Sequence, residues 1–126
     1  MSVLTQPPTM GDVLKYELNP NYTREAVTLL AGTTYPVGAV LGRITASGKY
    51  KLSTSSGSDG AQTAAAVLLY ATDATAADAT GIVVLRGPAI VSKAALVFDA
   101  SVDDAAKTAA KHAQLTALGI IPRDAA

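Results

Sequence analysis

The chain has 126 residues, with ten basic and ten acidic side chains, one His and no Cys. Zero net charge and only 16% charged residues argue against a basic nucleic-acid-binding face, and the lack of Cys excludes disulfides, thiolate metal sites and a Cys nucleophile. Apolar residues reach 49%, but many are Ala, with one Phe, no Trp and five Tyr, so the length holds one domain plus a tail with a core short of large side chains.

Residues Met1 to Gly11 read as an arm, because Pro7-Pro8 enforces extended backbone and no apolar periodicity precedes them. No basic segment followed by an apolar run opens the chain, so no signal peptide is expected. In Asp12 to Leu18, Leu14, Tyr16 and Leu18 alternate with Lys15 and Glu17, the period of a strand with one apolar face. That strand suits either the edge of the protein's own sheet or the sheet edge of a partner. Asn19-Pro20-Asn21 breaks the pattern, which sets an arm at 1–22 and a β-rich domain at 23–126.

In the domain, Glu25 to Leu30 is a predicted strand, Ala31 to Gly38 a loop, and Val40 to Thr45 the next strand. Ser47-Gly48 turns it into Lys49 to Leu52. Ser53 to Gly60 is predicted to be a mobile polar loop, and Ala64 to Ala71 a buried strand. Thr72 to Thr80 is a small-residue loop carrying Asp73 and Asp78. The aliphatic run Ile82-Val83-Val84-Leu85 predicts a strand buried on both faces, followed after Gly87-Pro88 by Ala89 to Val91 and a short helical turn near Ser92 to Leu96. A helix is predicted over about 102–118, with Ser101 and Asp104 as a capping box, an Asp103–Lys107 pair, and Gly119 and Pro122 ending it. Its alanines (105, 106, 109, 110, 113 and 117) fit high helix propensity and also allow close packing against the sheet or a neighbouring subunit, with packing inside the subunit the favoured reading.

The inventory of chemical groups is small. His112, the single histidine, reads as a solvent-facing helical residue and not as a catalytic base. Asp103 and Asp104 are adjacent on a helix and point about 100° apart, so they serve the helix start better than a shared reacting group. Asp73 and Asp78 lack calcium-loop spacing, and Gly57-Ser58-Asp59-Gly60 lacks the Gly-Lys-Ser/Thr ending of a phosphate loop. No enzyme activity, metal or cofactor is expected. No run approaches the ~18–20 apolar residues of a membrane span.

Several ordered segments resemble the head decoration proteins of tailed phages: Arg24 to Leu29 with Ala31-Gly32, Val37 to Thr45, and Ser47 to Tyr50. Asp59-Gly60 leading to Ala64–Leu69, Asp73 to Ala79, Val83 to Gly87, Ala94 to Val97, and Leu115 to Ile120 continue the match, so the resemblance spans roughly 24–121. It implies a mainly β (α+β) subunit, a small barrel of the β-clip or β-tulip type, with a C-terminal helix and an extended N-terminal arm. It also implies a homotrimer on the outer surface of a phage head built of HK97-fold major capsid protein, assembled in the host cytoplasm and stabilising the shell against internal DNA pressure. By position in the arm, Val3, Leu4, Pro7, Pro8, Val13, Leu14, Tyr16 and Leu18 are the expected capsid contacts. The competing reading is a receptor- or glycan-binding module on the phage surface. That reading calls for an exposed aromatic cluster, whereas Tyr35, Tyr50 and Tyr70 are scattered in sequence.

Overall fold

The structure, a computed structural model, describes residues 10–124. Five strands close a barrel in the order β2-β5-β4-β6-β8: β2 (Arg24–Leu29), β4 (Val40–Arg43), β5 (Tyr50–Leu52), β6 (Ala64–Leu68) and β8 (Ala79–Val84). Neighbours are antiparallel except β2 and β5, which meet in parallel at Leu29 and Tyr50. A three-stranded sheet lies beside the barrel in the order β1-β9-β10, made of β1 (Leu14–Glu17), β9 (Ala89–Ser92) and β10 (Ile120–Arg123). A small pair, β3 (Thr34–Tyr35) and β7 (Thr72–Asp73), and three helices complete the fold: α1 (Met10–Val13), α2 (Pro20–Thr23) and α3 (Ala105–Ala117). The expectation of a mainly β small barrel with a C-terminal helix is met.

The aliphatic runs have a direct explanation. Successive residues of a strand point to opposite faces, and here both faces are covered. Leu41, Leu68 and Val83 fill the barrel with Leu29, Tyr35 and Tyr50. Their chain neighbours Val40, Val67 and Val84 point the other way, into a second core with Val13, Val91, Leu96, Leu115 and Ile120. That second core joins barrel, sheet and α3. The five residues Val40, Val67, Val84, Leu115 and Ile120 are wholly buried, and truncating a buried Leu or Ile to Ala typically costs ~2–5 kcal/mol. Gly42 permits the close approach of the segment before β6, since a Cβ there would meet the Ala61 carbonyl oxygen.

Helix α3 starts later than the sequence predicts. Asp104, not Ser101, is the N-cap and accepts the Lys107 backbone N–H at 2.8 Å. Ser101 instead donates to Asp99 and accepts from the Ser55 N–H. The hydroxyl is thereby held outside the helix, and the Asp104 carboxylate does the capping directly. The Asp103–Lys107 pair forms at 2.8 Å. Gly119 ends the helix at φ +83°, and its N–H reaches the Thr116 carbonyl. The chain then enters β10, which the sequence reading lacked. Pro122 fits there because β10 borders the sheet, where one missing N–H is tolerated.

The helix alanines do not pack inside the subunit. All six lie on its exposed face, and Lys111, Leu115 and part of His112 take the inward face. Small side chains bury little area, so the larger residues prevail in the contest for the core. The Ser53 to Gly60 loop is likewise pinned and not left free. Lys111 is 2% exposed, and its ammonium donates to Ser53 Oγ at 2.9 Å, to the Thr54 carbonyl at 2.6 Å and to the Gln62 carbonyl. Burial lowers its pKa, and Asp99 opposes that shift.

Candidate functional site

Strand β1 runs antiparallel to β9, with Leu14 opposite Val91, and β10 runs parallel to β9, with Arg123 opposite Ser92. The start of β1 and the end of β10 therefore flank the same end of β9. Both ends of the described chain leave the molecule at this one pole. At the same pole, α1 and the 3-10 turn Lys93–Ala95 frame a groove of about 480 Å³. Its lining is mostly apolar: Pro36, Val37, Ala94, Ala95 and Val97, with Asp12 and Ser92.

The groove walls are built rigidly. The Val97 N–H donates to the Gly38 carbonyl, and the Val97 carbonyl accepts from the Val40 N–H, both at 2.9 Å. Gly38 takes φ +86° directly under Ala95, where a Cβ would collide with the Ala95 carbonyl. Wholly buried Val13 lies against Gly38 from below. Val97 nevertheless keeps 37% of its surface exposed, and Ala94 is also exposed.

The arm residues expected to make contacts fall into three groups. Val3, Leu4, Pro7 and Pro8 lie outside the described residues. Val13 is 0% exposed and belongs to the core, and Leu14 packs against it. Tyr16 and Leu18 are exposed, at 49% and 59%. The alternation predicted for Leu14, Tyr16 and Leu18 is interrupted by a β-bulge. Leu14 pairs with Val91 and Tyr16 with the preceding residue Ile90, so Lys15 is the extra residue. That one-residue slip puts Leu14 on the core face and Tyr16 on the outer face. Tyr16, Ile90 and Ile121 then form a cross-strand row on the outside of the sheet, with Ile121 36% exposed. Within the described residues, β1 is an edge strand of the protein's own sheet, one of the two possibilities its pattern left open.

The link from β1 to the barrel is electrostatic. Arg24 Nε donates to Glu17 at 2.9 Å, and the Thr23 hydroxyl donates to the same carboxylate at 2.6 Å. Partial burial pushes the Glu17 pKa up, but these bonds outweigh it and the net shift is downward. Arg86 sits over the Tyr22 ring, 5.4 Å from its centre, and donates to the Tyr22 carbonyl, so α2 is clamped to the end of β8.

The groups weighed for chemistry have structural placements. Asp78 accepts the Ala31 N–H and pairs with Lys49 at 2.6 Å, and Asp73 caps Thr75. His112 is not solvent-facing as the sequence predicted. Its ring centre lies 5.9 Å from that of Phe98, and its Nε2 is buried with no hydrogen-bond partner among the described residues. Among the described residues no group of His, Cys, Asp and Glu is placed to hold a metal ion. No helix among them is long and apolar enough to cross a membrane.

Barrel, sheet and pole define a small mainly β barrel protein whose exposed apolar groove lies beside its chain ends. The family model for the bacteriophage lambda head decoration protein D matches residues 3–120. The chain therefore belongs to the phage head decoration proteins, a structural family of the virion capsid. Comparison with curated proteins returned no match.

Proposed function

We propose that this decoration protein binds as a homotrimer to the outer surface of the expanded head, on a shell of HK97-fold major capsid protein, and stabilises that shell against the pressure of packaged DNA. It acts there without enzymatic activity, after assembly in the host cytoplasm. The observation that carries the reading is the pole: α1, the first described element, lies beside the exposed groove, so a subunit gripping the shell by the arm that precedes α1 presents this end to it. The chain's net charge of zero suits packing against protein and not against nucleic acid.

The mechanism is selective binding. A protein that binds the expanded lattice and not the compact one shifts the equilibrium towards expansion by its difference in affinity for the two. Three linked arms add avidity, because the second and third dock intramolecularly. Each arm residue ordered on docking costs ~1–2 kcal/mol of backbone entropy. Burial of Val3 and Leu4, with the exposed Tyr16 and Leu18, offsets that cost.

Mixing the purified protein with expanded and unexpanded heads tests the reading. Saturable binding in multiples of three, on expanded heads only, is expected. Equal binding to both forms, or binding as single copies, overturns it.

A further inference from the structure

We propose that Gln62 and Lys51 protect the Asp59-Gly60 peptide chemically, holding it in a geometry and charge state that slow the spontaneous isomerisation of Asp59 to isoaspartate. The inference goes beyond the capsid role and does not depend on it.

The hazard lies in the dipeptide, the single Asp-Gly step of the chain. The nitrogen of a Gly that follows Asp is unhindered and can attack the side-chain carboxyl carbon. A C–N bond forms, the carboxyl C–OH bond breaks, and the hydroxyl leaves with the amide proton as water. Water then opens the resulting succinimide. Opening at the main-chain carbonyl leaves isoaspartate, with an extra methylene in the backbone. The fold requires both residues all the same. Gly60 takes φ +103°, and a Cβ there would meet Thr45 Oγ1 and the Arg43 carbonyl. Asp59 accepts the Ala61 N–H at 3.0 Å and pairs with Lys51 at 2.7 Å.

Two features oppose ring closure. The first is the peptide plane between the two residues, which is held on both sides. The Asp59 carbonyl accepts the Thr45 N–H at 2.8 Å, and the Gly60 N–H donates to Gln62 Oε1 at 2.8 Å. Swinging the nitrogen onto the carboxyl carbon breaks both bonds. Gln62 is itself anchored, because its carbonyl accepts from buried Lys111. The second is charge. Ring closure consumes the neutral carboxyl, whose hydroxyl can leave as water. The Lys51 ammonium, with the Ala61 N–H, holds the Asp59 carboxyl below its ordinary pKa, so the reactive form is scarce at neutral pH. A virion protein is not renewed after assembly, so slow damage of this kind accumulates.

The test incubates full-length protein at neutral pH, folded or unfolded in urea, and measures isoaspartate at residue 59 by peptide mapping. Folded wild type is expected to isomerise at least about tenfold more slowly than the unfolded chain, the rate equivalent of the two bonds that must break. Gln62→Met keeps the side-chain stem and the backbone carbonyl but loses the acceptor, and when folded should isomerise about five- to tenfold faster than wild type. Lys51→Met should also be faster, because loss of the cation raises the Asp59 pKa and with it the neutral fraction. In urea all three proteins should react alike. If Gln62→Met melts at a lower temperature, Lys51→Met decides. Equal rates for folded and unfolded wild type, or wild-type rates in both folded variants, overturn the proposal.

Discussion

The Lys111 ammonium lies 2.9 Å from the hydroxyl oxygen of Ser53, 58 residues earlier in the chain. With the Thr54 and Gln62 carbonyls as its other partners, this one cation holds both ends of the Ser53–Gln62 segment against α3. Gln114 adds a bond from the same helix by accepting the Ala64 N–H at 2.7 Å. Lys111→Met keeps the aliphatic stem but strands buried oxygens. It is expected to lower stability by about 2–3 kcal/mol in urea unfolding, with faster amide exchange between Ser55 and Gly60. Unchanged stability and exchange would show that the ammonium makes no net contribution.

His112 makes stability depend on pH. Burial lowers its pKa, Lys93 lowers it further, and Asp124 opposes them. A histidine depressed in the fold takes up its proton more readily when unfolded. Its contribution is therefore complete above the unfolded value of ~6.5 and is lost as pH falls towards the folded value. Thermal melts should show stability declining below about pH 6.5, with a shallower decline in His112→Leu. Parallel curves for the two proteins would remove His112 as the cause.

Gly119 terminates α3 and starts β10 in one residue, at φ +83°. Gly119→Ala forces a side chain into the left-handed region and should cost about 1–2 kcal/mol, measured as a lower denaturation midpoint. Gly119→Asn should cost less, because Asn tolerates that conformation better. Equal effects of the two substitutions would show that backbone conformation is not what Gly supplies there.

Arm deletions should separate binding from folding. Removing residues 1–9 leaves Val13 and β1 in place, so the melting temperature should hold while affinity for expanded heads falls. Removing residues 1–18 takes away wholly buried Val13, strand β1 and the Glu17–Arg24 pair. It should destabilise the subunit by several kcal/mol, on the order of a Leu-to-Ala core change or more. Full affinity after the shorter deletion would reject the arm mechanism.

Much of the barrel was legible in the sequence because its signals are local. The run Ile82 to Leu85 is aliphatic at every position, which only a strand covered on both faces requires. Ser47-Gly48 marked the β4–β5 hairpin, closed by the bond from the Ile44 N–H to the Lys49 carbonyl. The candidate site was less legible. Its groove draws Asp12, Pro36, Val37, Ser92 and Val97 from distant parts of the chain, and no local period records such a convergence. The signal that was available was the placement of the arm, whose expected contacts included Val13, a core residue.

From the amino-acid order alone came the class of fold, the C-terminal helix with its Gly119 stop, and the family pattern, all carried by neighbouring residues and their spacing. The tertiary structure decided the rest. It set the bulge at Lys15 that turns Tyr16 outward, the parallel pairing of β10 with β9, the burial of Lys111 and of the His112 Nε2, and the exposure of the α3 alanines. The physical reason is competition. A side chain's burial depends on which remote segments supply partners for its polar atoms and which larger residues claim the core, and both are settled only when the chain has folded.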